Sequence, residues 1–387
     1  MSQNIVDSKK AGFDAVLSAS EKLGGQKPDI VFLFASIKYS QDDVYKGARQ
    51  AAPEAIIVGS SAAGEITSAA TAFESVAAMA ISSDQMKFFA GSGTGVGKDS
   101  FAAGAQAAKN ALELAGNEKL KLFIMIADGL NGNGAAIVRG AQSVLGENFP
   151  IMGGSAGDDY LFKKTYQYYN DEVVSDIVIG IGISGDFSFG FGVRHGWEPV
   201  GLPQTVTKSE GAVLKELNGQ PALKIYEDYF GKDAQELIKE PIARMAYTYP
   251  LGMSVEGSDE LLIRDPVIAN EKGEITCAAE IPEGTQVRLM IGDRGRAIEA
   301  AREAAQTAMG SLDGHAPKLI MVFNCMARNK LLGVHCNEEN QMVQSVVGKD
   351  VPMVGFYTYG EQGPLLGKKG TPTYFHNETM TMLVIGE

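Results

Sequence analysis

Three times along the chain an apolar, strand-like run breaks into a short loop of glycines, hydroxyls and an acid. Ile56–Ile66 reads IIVGSSAAGEI, Pro150–Asp158 reads PIMGGSAGD and Pro352–Glu361 reads PMVGFYTYGE. An apolar run of this length ending in glycine indicates a buried parallel strand entering a tight turn. A second apolar run precedes each one: Ile30–Ser36 (IVFLFAS), Lys121–Gly129 (KLFIMIADG) and Lys318–Asn324 (KLIMVFN). The spacing from run to turn is about 30 residues, the size of a βαβ unit. Helix-like segments fill the gaps, and 46 glycines suit an architecture of tight turns. The expected fold is α/β, with two domains of repeated strand–helix–strand units and mixed β-sheets. The polar loops should gather at the carboxyl ends of the strands, where ligands of open α/β sheets sit.

A chain of 387 residues is long for one core, so two domains are the natural division. Residues 1–27 carry an N-terminal helix. Gln204–Ala222 reads as a connecting region whose Asn218-Gly219 and Pro221 mark a turn and boundary. Ser75–Ser82 and Met86–Ala90 read as a pair of strands, and Val173–Val193 as β-rich. Ala90–Ser100 (AGSGTGVGKDS) invites a nucleotide-loop reading, but Ser92 and Asp99 stand where a phosphate loop needs glycine and a hydroxyl. Val96 likewise breaks the dinucleotide fingerprint, so a strand-to-helix connection is the better assignment.

The net charge of −13 argues against nucleic acid, for want of basic surface to displace counterions. Cys277, Cys325 and Cys336 form neither a disulfide framework nor a CxxC pattern. No signal-like or membrane-length apolar run is present, so the expectation is a cytoplasmic protein without a membrane role.

Several local patterns resemble one family. They are GSSAAGEI, the Val206–Tyr226 run, YPLG with IRDP at Ile263–Pro266, FNCMAR at Phe323–Arg328, GFYTYGE at Gly355–Glu361 and FHNET at Phe375–Thr379. In this order they resemble a FIST-domain protein, with the N-terminal FIST region over 28–217 and the C-terminal one over 218–387. The resemblance implies a ligand-sensing signal-transduction role without enzymatic activity, read out by a histidine kinase or another signalling protein. One stand-alone branch of the family binds haem b and senses nitric oxide, and the lone-sensor layout here is similar to it.

A haem would need an axial ligand, usually histidine for gas sensing. His195 is the first candidate, beside Arg194 for a propionate and Trp197 for a macrocycle face. His335, next to Cys336, is the second. His376 lies within FHNET and suits a structural role, and His315 sits in a loop. The rival is a small polar ligand such as an amino acid, held by Ser60, Ser61, Glu65, Asp128, Ser155 and Asp158 around the turns, with Arg328 for a carboxylate. The ordinary alternative is that these loops only satisfy one another. Catalysis is disfavoured, because Ser60 does not sit in G-x-S-x-G and no histidine lies in the N-terminal half to activate Ser60 or Ser155. A homodimer is the default oligomer.

Overall fold

A computed structural model describes residues 7–231, 236 and 242–387. Each repeat folds around a parallel strand pair. Ile30–Ser36 lies parallel to Ile56–Ala62, Leu120–Ala127 to Ile151–Ser155, and Pro317–Cys325 to Met353–Thr358. The glycine of each turn motif holds the same register, with Gly59 opposite Leu33, Gly153 opposite Met125 and Gly355 opposite Val322. A Cβ there would lie 1.8, 1.9 and 2.1 Å from the carbonyl oxygens of those residues, so only glycine lets the strands close. An antiparallel strand flanks each pair: Val76–Ile81, Ile177–Gly185 and Met380–Gly386.

The three units then exchange strands in a ring. Glu65–Thr67, leaving the first turn, pairs with Met353–Thr358 of the third unit. Glu361–Pro364, leaving the third turn, pairs with Ile151–Ser155 of the second. Gln167–Tyr169, which follows the second turn after an extra loop, pairs with Ile56–Ala62 of the first. The turns are stitched together as well: the N–H of Gly157 donates to Ser61 O (3.1 Å), that of Tyr357 to Gly64 O (2.8 Å) and that of Tyr359 to Ser155 O (3.1 Å). The inner faces of all three sheets share one core that includes Phe34, Val58, Ile124, Ile126, Phe323 and Phe356. Phe34 stacks on Phe356 with ring centroids 4.4 Å apart.

Helix pairs cover the outer faces: Ser8–Glu21 with Gln41–Ala51, Ser100–Ala115 with Gly134–Leu145, and Arg294–Gly310 with Cys336–Val347. Asp7, Asp99, Asn133 and Asp293 cap four of these helices by accepting an N–H three residues on. In the first two pairs the helices meet backbone to backbone, so that a Cβ on Gly12 or Gly104 would lie 2.1 Å from a carbonyl oxygen of the facing helix. Ala297, Ala301, Ala304 and Ala308 give the third pair and its sheet a similarly close packing.

An eight-stranded sheet built from residues 198–291 stands apart from the three repeat sheets, with its own core around Val206, Leu214, Leu251, Ile275 and Val287. The α/β architecture with mixed sheets therefore holds, while one local expectation is revised. Gln204–Ala222 is not a connection: it supplies part of the strand Glu198–Glu210 and the strand Val213–Leu217. The mostly exposed residues of Glu198–Glu210 hide the strand pattern. Val76–Ile81 and Met86–Thr94 are strands, as expected, and they join different sheets. The boundary near residue 218 falls within the eight-stranded sheet, and Ser188–Arg194 pairs with Met380–Gly386, so the two halves of the chain interleave. No helix among the described residues is long and apolar enough to cross a membrane.

Candidate functional site

The turn residues nominated from the sequence mostly close their own loops. Ser61 Oγ donates to Gly157 O (2.7 Å) and accepts the Tyr166 N–H (2.9 Å). Asp128 accepts the N–H groups of Leu130, Asn131 and Asp176 at 2.8, 3.0 and 2.9 Å. Asp158 collects those of Phe162, Lys163 and Lys164 at 2.9, 2.6 and 3.0 Å, and the Tyr359 hydroxyl too. Ser155 Oγ meets the Gln362 amide at 3.4 Å, and Ser60 is buried with its hydroxyl unpartnered. Glu65 accepts the Ser75 N–H and hydroxyl at 3.2 and 2.5 Å. Burial pushes its carboxyl well above the usual range, against the Ser75 hydrogen bonds. The turns meet, but these side chains are divided among three loops.

Arg328 is fully buried, and all five of its N–H donors are engaged. Nε bonds Glu339 (2.9 Å), Nη2 bonds Ala297 O (2.7 Å) and Glu339, and Nη1 bonds the carbonyls of His195 and Glu378 (3.3 Å to the latter). It therefore has no donor left for a ligand carboxylate, and acts as a keystone between four segments.

A cavity of about 360 Å³ opens between Arg194–Glu198, Glu260 and the helix Arg294–Gly310. Two residues beyond the strand Ser188–Arg194, Gly196 with a φ of +88° turns the chain beneath that helix. His195 Nδ1 accepts the Trp197 N–H (2.9 Å), and Nε2 faces Glu260 Oε1 at 2.9 Å. Burial opposes ionisation of Glu260, but the contact with His195 outweighs it and holds the carboxyl below its ordinary range. Arg194 donates to Val193 O (2.7 Å) and Leu366 O (2.9 Å), and lies 3.5 Å from Glu303. Arg296 lies 3.0 Å from Glu198. Trp197 is buried against Ile263 and Met290, with the Arg328 guanidinium 5.5 Å from its ring.

These residues do not fit an iron porphyrin. One nitrogen of His195 is hydrogen-bonded, the other faces a carboxylate, the Trp197 ring is covered, and the lining is ionic rather than apolar. His335 lies outside the cavity lining, on the short turn Gly333–His335, 2.6 Å from Glu338. Among the described residues, no group of three or more His, Cys, Asp or Glu side chains is arranged to hold a metal ion.

Behind His195 and Glu260, a void of about 10 Å³ is bordered by Leu365, His376 and Thr379. His376 Nε2 lies 2.9 Å from Gly363 O, and burial pushes the imidazole down to about 4. The Thr379 N–H donates to Glu361 (3.2 Å), which also accepts the Thr358 hydroxyl. Asp265 and Glu378 lie in the same cluster, both Glu378 oxygens buried without a hydrogen-bond partner. Burial raises Asp265 to about 7 and lifts Glu378 well above its usual range, the Asp265 charge adding to the latter. Glu378 also holds a left-handed φ of +56°. IRDP, GFYTYGE and FHNET thus converge on one buried polar cluster whose acids the sequence analysis did not nominate.

Residues 29–220 match the profile of the FIST N domain, and residues 222–364 that of the FIST C domain. An uncharacterized protein of Mycobacterium tuberculosis (strain H37Rv) is 26% identical over 221 residues, 56% of this chain and 57% of that one. An uncharacterized protein of Methanocaldococcus jannaschii is 30% identical over 192 residues, 47% of this chain and 36% of that one. The chain thus spans little over half the length of the first relative and about a third of the second. A cyanuric acid hydrolase from A. caulinodans superposes over 96% of this chain and 93% of its own, at TM-score 0.37 and 9% identity. That likeness is too slight to carry an argument.

Proposed function

The chain belongs to the FIST family, and from that premise we propose a haem-free sensory module whose ligand is a small zwitterion. The molecule has the size and charge of an amino acid and binds in the cavity beside His195 and Glu260. The observation that carries this reading is the lining: Arg194 and Arg296 alternate with Glu198, Glu299 and Glu303 around about 360 Å³, within the range of small-ligand pockets. Exposed ion pairs of this kind are worth only ~0.2–1 kcal/mol each. An incoming ammonium and carboxylate therefore displace the existing partners at little cost, and gain charge-assisted hydrogen bonds in a partly desolvated site.

Arg328 offers a contiguous route outward. It ties the His195 carbonyl to Ala297 on the cavity helix and to Glu339 on Cys336–Val347. That last helix holds the first unit through Asn337 to Thr71 (2.6 Å), Asn340 to Thr71 (2.6 Å) and Gln344 to Ser68 (2.9 Å). Binding that shifts the cavity helix thereby biases a distant face for a signalling partner, for which a histidine kinase is the proposed class.

Trp197 is the only tryptophan and lines the cavity, so its emission reports occupancy. Titration with a panel of amino acids, amines and carboxylic acids, alongside thermal melts, should show saturable changes for zwitterions. Arg296→Ala should weaken these about tenfold, a loss of ~1.4 kcal/mol. Zwitterions that move neither emission nor melting temperature would overturn the assignment. So would a sharp Soret band at one haem per chain that disappears in His195→Ala.

A further inference from the structure

We propose that the groove over Val76–Ile81 takes an extended strand of a partner protein, neutral and carrying glycine at two alternate positions. The three sheets end differently. In the second and third units the flanking antiparallel strand is itself covered by a strand that crosses over from the preceding unit. Met86–Thr94 lies antiparallel to Ile177–Gly185, and Ser188–Arg194 to Met380–Gly386. Those two sheets have six strands, whereas the first has five among the described residues and ends at Val76–Ile81.

The two crossing strands share a pattern: one contains Gly91-Ser92-Gly93 and the other Gly190-Phe191-Gly192. Each pair of glycines lies under the first helix of its unit. A Cβ on Gly91 or Gly93 would come within 2.4 Å of the backbone of Ser100–Ala115, and one on Gly190 or Gly192 within 2.2 Å of that of Arg294–Gly310. Gly91 pairs with Gly180 and Gly192 with Met382. These stand opposite Met125 and Val322, as Ala78 stands opposite Leu33. One glycine of an incoming strand therefore belongs opposite Ala78, with the second two residues away.

The first unit has the walls of the same slot. A groove of about 510 Å³ runs over Val76–Ile81, between Ala15, Ser18 and Ala19 of the helix Ser8–Glu21 and, on the far side, Ser68 and Ala69. Ala78 and Ala80 are only half-buried there, while their counterparts Gly180, Gly182, Met382 and Val384 are buried. The register that sets the Ser36 N–H on Ser75 O at 3.0 Å turns the peptide groups of Ala78 and Ala80 away from Ile30–Ser36, toward the groove. They are placed to add main-chain hydrogen bonds to an extended segment. Close approach to the helix wall is open to a backbone that carries glycine at the contact.

The test uses labelled synthetic peptides that copy Met86–Thr94 and Ser188–Arg194, titrated against the full chain by fluorescence anisotropy. At least one should bind saturably below millimolar concentration. Replacing both of its glycines, as in Gly91→Val/Gly93→Val or Gly190→Val/Gly192→Val, should weaken it about tenfold through overpacking against the helix. Ala19→Trp and Ala69→Trp fill the groove from opposite walls, and each should abolish binding with circular dichroism unchanged. Amide hydrogen exchange at Ala78 and Ala80 should slow in the complex. Failure of both peptides to bind up to millimolar concentration overturns the proposal, as does binding that ignores the valines or survives in either folded tryptophan variant. A wild-type dimer that the peptides dissociate assigns the groove to a second copy and overturns the choice of a separate partner. If one tryptophan variant fails to fold, the other and the exchange pattern still decide.

Discussion

Replacing Arg328 by methionine tests the keystone assignment most severely. Glu339, itself fully buried, would keep only the Asn324 amide at 2.8 Å, and the carbonyls of His195, Ala297 and Glu378 would each lose a donor. Removing one member of a buried ion pair costs roughly 3–5 kcal/mol. Each buried carbonyl left without a partner adds about 1–3 kcal/mol unless water reaches it. The total is about 5 kcal/mol or more, the scale of a typical protein's whole stability. The assay is urea unfolding followed by the emission of Trp197. Arg328→Met should be largely unfolded or melt far below wild type. Arg328→Met/Glu339→Leu should recover roughly 2 kcal/mol relative to the summed single variants, because the stranded charge is gone. A single variant costing under about 1 kcal/mol, or strictly additive effects, would refute the reasoning.

Further outcomes concern pH and helix packing. Asp265, raised to about 7, keeps a proton in the folded chain that the unfolded chain releases above ~4. Its contribution is full below that pH and is lost as pH rises through about 7, with a slope of up to ~1.4 kcal/mol per unit. His376, depressed to about 4, acts in the opposite sense, since stability falls as pH drops from ~6.5 through 4. Asp265→Asn should therefore gain stability relative to wild type as pH rises from ~4 to 7, and parallel curves in denaturant titrations would contradict this. Gly104→Ala, whose Cβ would lie 2.1 Å from Ile137 O, should cost ~1–3 kcal/mol by forcing two helices apart. Gly310→Ala meets nothing within 4 Å and should stabilise by ~0.5–1 kcal/mol in the same thermal melts.

What the sequence conveyed was local. The three turn motifs, their partner runs and the intervening helices are written in stretches short enough for periodicity and glycine placement to reveal them. The exchange of Glu65–Thr67, Gln167–Tyr169 and Glu361–Pro364 among units was not legible, because the hydrogen bonds join residues some hundred or more positions apart. Glu198–Glu210 escaped notice since an exposed, bulged strand lacks alternation. His195, Arg194 and Trp197 do gather at one cavity, yet residue types could not tell which ring nitrogens were free. Asp265, Glu361 and Glu378 were passed over because an acid in a turn-like motif ordinarily faces water.

The ring of exchanged strands also orders events at the ribosome. When residues through 220 have emerged, Ile151–Ser155 still lacks the antiparallel neighbour that Glu361–Pro364 brings, and Glu65–Thr67, paired only with the two-residue strand Thr71–Ala72, still lacks Met353–Thr358 on its other side. The nascent N-terminal region therefore waits with open strand edges for the last quarter of the chain, and folding is governed by late, long-range closure. A fragment ending at the sequence boundary between the two FIST regions would expose those edges permanently, making it a poor proxy for the intact protein.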